Sequence, residues 1–152
     1  MKIIIDSNIL FSACIAPYGD NADLLLNPKY SFERFSCHYL IVEMFKHQNK
    51  IVKLSKQSID NVIEVLYAFM RKITFINEGT ISQEIWKQAD ELTREVDSND
   101  ISFVALTLDL SNSFLWTNDK KLIKGLAKKG FNQIVTTQDL VHKFKNNEQI
   151  IL

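Results

Sequence analysis

Short apolar runs alternate with segments of helical periodicity along the chain. Four runs rich in β-branched and aromatic residues are typical of buried strands: Lys2–Ile5, Ile73–Ile76, Phe114–Thr117 and Gln133–Thr136. Between them, apolar residues recur every three or four positions, which predicts amphipathic helices. The predicted helices are Ser36–His47, Ser58–Arg71, a segment that starts with a Thr80–Gln83 capping box, Asp97–Leu110, Lys120–Lys129 closed by Gly130, and Gln138–Lys145.

The order of these elements predicts the fold class. Strands that alternate with helices indicate an α/β protein whose parallel sheet carries helices on both faces. The stretch 16–23, which contains Pro17 and Gly19, is the main predicted loop. Ligands of such sheets bind at the carboxyl ends of the strands. Asp6 follows the first strand directly, so we expect its carboxylate at this edge of the sheet.

Composition is that of one ordinary globular domain. The 152 residues suit a single core, so we expect one domain over residues 1–152, and an apolar fraction of 46% excludes a disordered chain. Acidic and basic residues number 18 each, so overall charge indicates no partner. Cys14 and Cys37 lack metal-ligand spacing, which favours a reduced, cytoplasmic protein. We expect no signal peptide, because the apolar stretch at the N-terminus is only Ile3 to Ile5 before Asp6. We expect no membrane span, because no apolar run approaches the roughly 20 residues that a bilayer requires.

Four further acids stand at helix starts or on a helix flank, and each also has a purely structural explanation. Asp119 follows a predicted strand, where an aspartate is a common helix N-cap. Asp97 and Asp100 precede an almost wholly apolar helix, and both would suit its positive end. Glu43 lies beside the apolar face of its helix and is spaced to pair with a basic residue three or four positions later.

The acids together indicate a metal site more strongly than any one of them does. Asp6, Glu43, Asp100 and Asp119 all fall where an α/β sheet brings residues to one edge. Clustered carboxylates repel one another unless protons or cations neutralise them. Since no histidine or cysteine stands at matching positions, the suitable ions are hard ones such as Mg²⁺ or Mn²⁺, and Mg²⁺ sites typically engage substrate phosphates.

At these residues the chain resembles the PIN-domain nucleases, which include VapC-like toxins. The resemblance extends from Lys2 to about Leu140 and is carried by IIIDSN, Glu43, DSNDISFVALTLDL and LWTNDKKL. It implies a three-layer α/β/α sandwich around a mainly parallel sheet of four or five strands. It also implies a metal-dependent endoribonuclease that hydrolyses phosphodiester bonds of RNA.

The resemblance assigns roles to individual residues. The acids that would hold one or two Mg²⁺ or Mn²⁺ ions and serve catalysis are Asp6, Glu43, Asp100 and Asp119, with Asp97 as a secondary metal ligand. Asn99 stands where many members carry a further acid. The small polar residues that would orient ligands or waters are Ser7, Asn8 and Thr117. The lysines that would place the RNA backbone are Lys120, Lys121 and Lys124, although a solvated helix face explains them equally well.

The resemblance also implies partners. Many small members are toxins that an antitoxin protein inhibits, and many form homodimers. The apolar helix surface expected in such a dimer comprises Leu66, Tyr67, Phe69 and Met70.

Three other interpretations are weighed against the nuclease. A haloacid-dehalogenase-type phosphatase also begins with a strand and an aspartate, but it requires a second acid where Asn8 stands. A nucleotide-binding fold requires a glycine-rich turn after the first strand, and none of the four glycines fits. A catalytically silent PIN-like module that binds RNA or protein would keep the fold with a degraded site, whereas all four acids are present here.

Overall fold

A parallel five-stranded sheet forms the centre of the fold in the computed structural model, which describes residues 1–146. Its strands are β1 (Lys2–Ile5), β2 (Glu33–Cys37), β3 (Thr74–Ile76), β4 (Ser113–Trp116) and β5 (Ile134–Val135). Every neighbouring pair is parallel, and the order across the sheet is β3-β2-β1-β4-β5. The chain therefore adds strands first to one side of β1 and then to the other. This reversal creates a topological switch point between β1 and β4.

Helices surround this sheet. They are α1 (Ser7–Ile15), α2 (Asp20–Leu26), α3 (Tyr39–Lys46), α4 (Gln48–Ser55), α5 (Ile59–Met70), α6 (Gln83–Thr93), α7 (Ile101–Asp109), α8 (Lys120–Lys128) and α9 (Thr137–Leu140). Two 3₁₀ turns, Glu78–Thr80 and Ser98–Asp100, and a π-helical segment, Val141–Asn146, complete the described chain. Within the same part of the chain, no helix combines the length and the apolar character needed to cross a bilayer.

The burial of β1 shows that both faces of the sheet are covered. Ile3, Ile4 and Ile5 point alternately to opposite faces, yet all three are fully buried. Helix α7 packs against β1, β2 and β4, and its central residues are buried on all sides. The arrangement is the predicted α/β fold with helices on both faces, so the predicted fold class is confirmed.

One predicted helix, Ser36–His47, is wrong at its start. Residues Glu33–Cys37 form strand β2 beside β1, and the Ser36 hydroxyl donates a hydrogen bond to the Ile5 carbonyl at 2.8 Å. The helix begins only at Tyr39. Charged residues at the start of β2 hide the apolar pattern of a strand. In addition, Cys37 at the end of β2 happens to fit the helical spacing of the apolar residues in α3.

Three helices were not predicted. Helix α2 occupies much of the predicted loop 16–23, which in fact ends at Gly19. Helix α1 is apolar on several sides, so it lacks the contrast between faces that marks an amphipathic helix. Helix α4 follows α3 after a single residue, His47. It was missed because its residues show no clear helical spacing of apolar positions.

Two helix starts also differ from expectation. Helix α6 is capped by Ser82, whose side chain accepts a hydrogen bond from the Ile85 amide, and the predicted Thr80 capping box does not form. The Thr80 hydroxyl instead donates to the Asn77 carbonyl at 2.8 Å within a 3₁₀ turn. The predicted helix over 97–110 is divided into the turn Ser98–Asp100 and α7.

Candidate functional site at the carboxyl edge of the sheet

Asp6 ends β1 at the switch point and is almost fully buried, with 1% of its surface exposed. One carboxylate oxygen accepts hydrogen bonds from the Ser7 hydroxyl at 3.3 Å and the Asn8 amide at 3.4 Å, which caps α1. The other oxygen accepts a bond from the Thr117 hydroxyl at 2.7 Å, across the gap between β1 and β4. Burial raises the pKa of the Asp6 carboxyl, and the bonds from Thr117, Asn8 and Ser7 oppose that rise.

Asp100 is the acid whose environment is least explained by local structure. It is 7% exposed and stands at the N-cap of α7, yet its side chain makes no capping hydrogen bond. Burial raises the pKa of Asp100 to about 8, with further contributions from neighbouring carboxylates, in decreasing order those of Asp6, Asp97, Asp119 and Glu43. A buried acid that neither caps its helix nor pairs with a cation is typical of a ligand-binding site.

Asp119 combines a structural role with a place at the same edge. One of its oxygens caps α8 by accepting from the Lys121 and Leu122 amides at 3.0 and 3.1 Å. The cap explanation is therefore correct, but it engages only Oδ1. The Thr117 hydroxyl accepts a bond from the Asp119 amide at 3.2 Å while it donates to Asp6, so one hydroxyl links the two acids.

Asp97 and Glu43 lie at the margin of this group. The Asp97 side chain accepts a bond from the Asn99 amide at 2.9 Å, so it caps the 3₁₀ turn before α7. The half-buried Glu43 carboxylate contacts His47 at 3.3 Å and Lys46 at 3.9 Å, the surface pairing that its spacing suggested. Both acids nevertheless contribute to the raised pKa of Asp100, which ties them electrostatically to the edge.

Tyr39 is a neighbour of Glu43 that the sequence reasoning missed. A hydrogen bond to Glu43, followed by burial, raises the pKa of the Tyr39 hydroxyl to about 12. The two residues lie four positions apart on α3, so helical spacing could have identified the pair.

The donor set fits a hydrated divalent cation. Within residues 1–146, no three histidine, cysteine or acidic side chains come close enough together to hold a metal ion directly. Mg²⁺, however, keeps several waters and is usually bound through one or two carboxylates. The candidate ligands are oxygen atoms of acids that repel one another, and a bound cation would relieve that repulsion.

Three of the remaining predicted site residues contact Asp6. Ser7 and Thr117 bond to Asp6 through their hydroxyls, whereas Asn8 does so through its amide and leaves its side chain exposed. The three predicted RNA-binding lysines lie in the first two turns of α8, which begins directly after Asp119 in the sequence. Lys120, Lys121 and Lys124 are all exposed.

Comparison with known proteins identifies the fold family. A family model described as the PIN domain matches residues 4–141. No curated protein sequence gives a significant match.

Two solved structures are similar in architecture. A crystal structure of VapBC2 from Rickettsia felis bound to a promoter DNA fragment has a TM-score of 0.63, covers 90% of this chain and 98% of its own, and is 16% identical. A structure of VapBC-1 from nontypeable Haemophilus influenzae has a TM-score of 0.60, covers 91% of this chain and 99% of its own, and is 15% identical. At these identities the likeness concerns the fold.

Proposed function

The chain belongs to the PIN-domain family, and from that premise we propose that it is a metal-dependent endoribonuclease. The observation that supports the proposal is the electrostatic coupling of Asp6, Asp100 and Asp119 near the switch point of the sheet. Burial and mutual repulsion there raise the pKa of Asp6 and bring that of Asp100 to about 8. Such a cluster lowers stability, and proteins keep it mainly where the acids serve a ligand.

One or two of Asp6, Asp100 and Asp119 would contact a Mg²⁺ or Mn²⁺ ion directly, and the others, with Glu43 and Asp97, would contact it through bound waters. When bound, the ion would activate a water for attack on the scissile phosphorus and neutralise the charge of the phosphate. Thr117 and Ser7 fix the orientation of the Asp6 carboxylate through their hydroxyls. Because these bonds favour the ionised form of Asp6, they keep it available as a ligand.

RNA is the proposed substrate. Lys120, Lys121 and Lys124 project from the first turns of α8, immediately behind Asp119. Contacts of this kind bind the phosphate backbone and fix its position without reading its sequence. The exposed side chain of Asn8, beside Asp6, would orient a water or a ribose hydroxyl at the same edge.

We further propose that the protein is the cytoplasmic toxin of a toxin–antitoxin pair and that its apolar helix surface binds protein. Five large apolar side chains are exposed on α3 and α5: Val42, Phe45, Ile59, Ile63 and Tyr67. Of the residues expected on a dimer surface, Tyr67 is exposed and Leu66 and Met70 are half-buried, but Phe69 lies in the core. The surface would be covered by an antitoxin or by a second copy of the chain.

The direct test is RNA cleavage with control of the metal ion. The purified protein is incubated with structured and unstructured RNAs in Mg²⁺, in Mn²⁺ and in EDTA. We expect cleavage in the presence of either metal and none in EDTA. Cleavage that persists undiminished in EDTA would exclude the metal mechanism, and failure to cut a broad transcript pool would favour the catalytically silent module.

A further inference from the structure

A small pocket opens beside the acidic edge, between α1 and the junction of α3 with α4. Its volume is about 110 Å³. The residues that define it are Ser7, Asn8 and Phe11 on one side and Glu43, His47 and Lys50 on the other. Because Ser7, which lines the pocket, donates a hydrogen bond to Asp6 at 3.3 Å, the pocket lies next to the candidate metal site.

The charges around this pocket leave one ammonium group uncompensated. The Glu43 carboxylate is paired with His47 at 3.3 Å and Lys46 at 3.9 Å. Lys50 forms no ion pair with a carboxylate in the described part of the chain, and its ammonium lies 5.5 Å from the centre of the Phe11 ring. Among the described residues, the Lys50 ammonium is therefore available at the rim of the pocket for an anionic ligand.

Phe11 holds the cationic side of the pocket in place without neutralising it. The Phe11 ring contacts Lys50 by a cation–π interaction and meets the His47 ring edge-on, with 6.0 Å between ring centres. A cation–π contact is favourable even at an exposed site, so it biases the lysine side chain toward one arrangement. The ammonium is therefore partly positioned before any ligand binds.

The size of the pocket permits a small polyatomic ligand. Its volume of about 110 Å³ is several times the ~10–15 Å³ that one bound water needs. A compact anion such as a phosphate group therefore fits beside the Lys50 ammonium. The carboxyl edge and the pocket together would contact two neighbouring points of one nucleic-acid backbone.

We propose that this pocket binds the backbone phosphate of RNA next to the one that is cleaved, with the Lys50 ammonium as its charged ligand. The inference rests on the proposed function, because the neighbouring phosphate is defined relative to the cleavage site. Contacts on both sides of the scissile bond fix its orientation, which is a major part of catalysis. Helix α4 thereby joins α8 in binding the substrate.

The test compares Lys50→Gln with Lys72→Gln. Lys72 is also exposed but stands just before β3, at the amino edge of the parallel sheet and opposite the acids. Both changes are made in an Asp100→Asn background, which removes a proposed metal ligand and blocks cleavage. Binding of a short, unstructured, fluorescein-labelled RNA is measured by anisotropy in Mg²⁺ over a range of KCl concentrations.

One phosphate contact to single-stranded RNA contributes about 0.7 to the slope of log Kd against log salt concentration. Lys50→Gln should therefore reduce the slope by about 0.7 and weaken binding about five-fold at ~0.1 M salt. Lys72→Gln should leave both quantities unchanged. A merely structural role of Lys50 would change the melting temperature but not the salt slope.

The outcomes separate this inference from the proposed function. Equal salt slopes for Lys50→Gln and Lys72→Gln would overturn the proposal that the pocket binds a phosphate. So would an Asp100→Asn protein that does not bind RNA at all. If the parent protein fails to cleave RNA but the slope still depends on Lys50, the pocket is supported as a phosphate site and the nuclease proposal is overturned.

Discussion

Replacing Asp100 with asparagine is expected to stabilise the metal-free protein at alkaline pH. Burial and neighbouring carboxylates raise the pKa of Asp100 from 3.8 to about 8 in the folded protein. Between these two values the folded state binds more protons than the unfolded chain, so the free energy of unfolding of the parent falls as the pH rises. Asparagine removes the charge at nearly constant volume, and no cap is lost because the Asp100 side chain makes no capping bond.

The size of the effect follows from the same pKa. A rise from 3.8 to about 8 corresponds to an upper limit of about 6 kcal/mol, at ~1.4 kcal/mol for each pKa unit. Asp100 shares its repulsion with the neighbouring acids, and the folded protein relaxes around an ionised group, so we expect about 2–3 kcal/mol at alkaline pH. For a protein of this length, this is a rise in Tm of about 5–10 °C.

The assay is thermal melting of parent and variant in EDTA at about pH 5 and pH 9. The stabilisation should be large at the higher pH and should shrink toward the lower one, because the folded-state Asp100 is then protonated. Asp109→Asn removes an exposed acid from the other end of α7 and should change stability by less than about 1 kcal/mol. A variant that is destabilised at both pH values, or equally stabilised at both, would refute the reasoning.

Two further substitutions test the links between the acids. Thr117→Val leaves the buried Asp6 carboxylate without its 2.7 Å hydrogen bond, so the free energy of unfolding measured in urea should fall by about 1–3 kcal/mol. Thr117→Ser keeps the hydroxyl and should largely avoid this loss, and equal losses in the two variants would contradict the role of the hydroxyl. Asp119→Asn should keep the cap of α8, because asparagine caps as well as aspartate, and should change stability by less than about 0.5 kcal/mol. Cleavage should nevertheless fall by at least about 100-fold, and unchanged cleavage would reduce Asp119 to a helix cap.

The central strands and the acids that follow them could be predicted from the sequence. β1 and β4 are buried on both faces, so they appear in the sequence as largely apolar or aromatic runs. Polar residues that follow such strands lie at the carboxyl edge of the sheet, where ligands bind. Asp6 and Asp119 were identified by this rule, and the structure places them at the two sides of one threonine hydroxyl.

Strand β2 and the identity of the true helix caps could not be predicted. β2 begins with Glu33 and Arg34, and the Arg34 guanidinium is satisfied by the Leu24 carbonyl at 2.6 Å, a contact from a distant helix. As possible helix caps, Asp97 and Asp100 could not be told apart from the pattern alone, although the family resemblance ranks Asp100 above Asp97 as a metal ligand. Only the folded backbone distinguishes Asp97, which caps a 3₁₀ turn, from Asp100, which caps nothing.

The most direct test of the account is the rate of RNA cleavage as a function of Mn²⁺ concentration, in the parent and in Asp100→Asn. Because the variant is expected to be at least as stable as the parent, unfolding cannot explain a loss of activity. The account predicts a parent rate that rises from zero in EDTA to a plateau and a variant rate near the background throughout. A rate independent of Mn²⁺, or an Asp100→Asn curve that coincides with that of the parent, would contradict it.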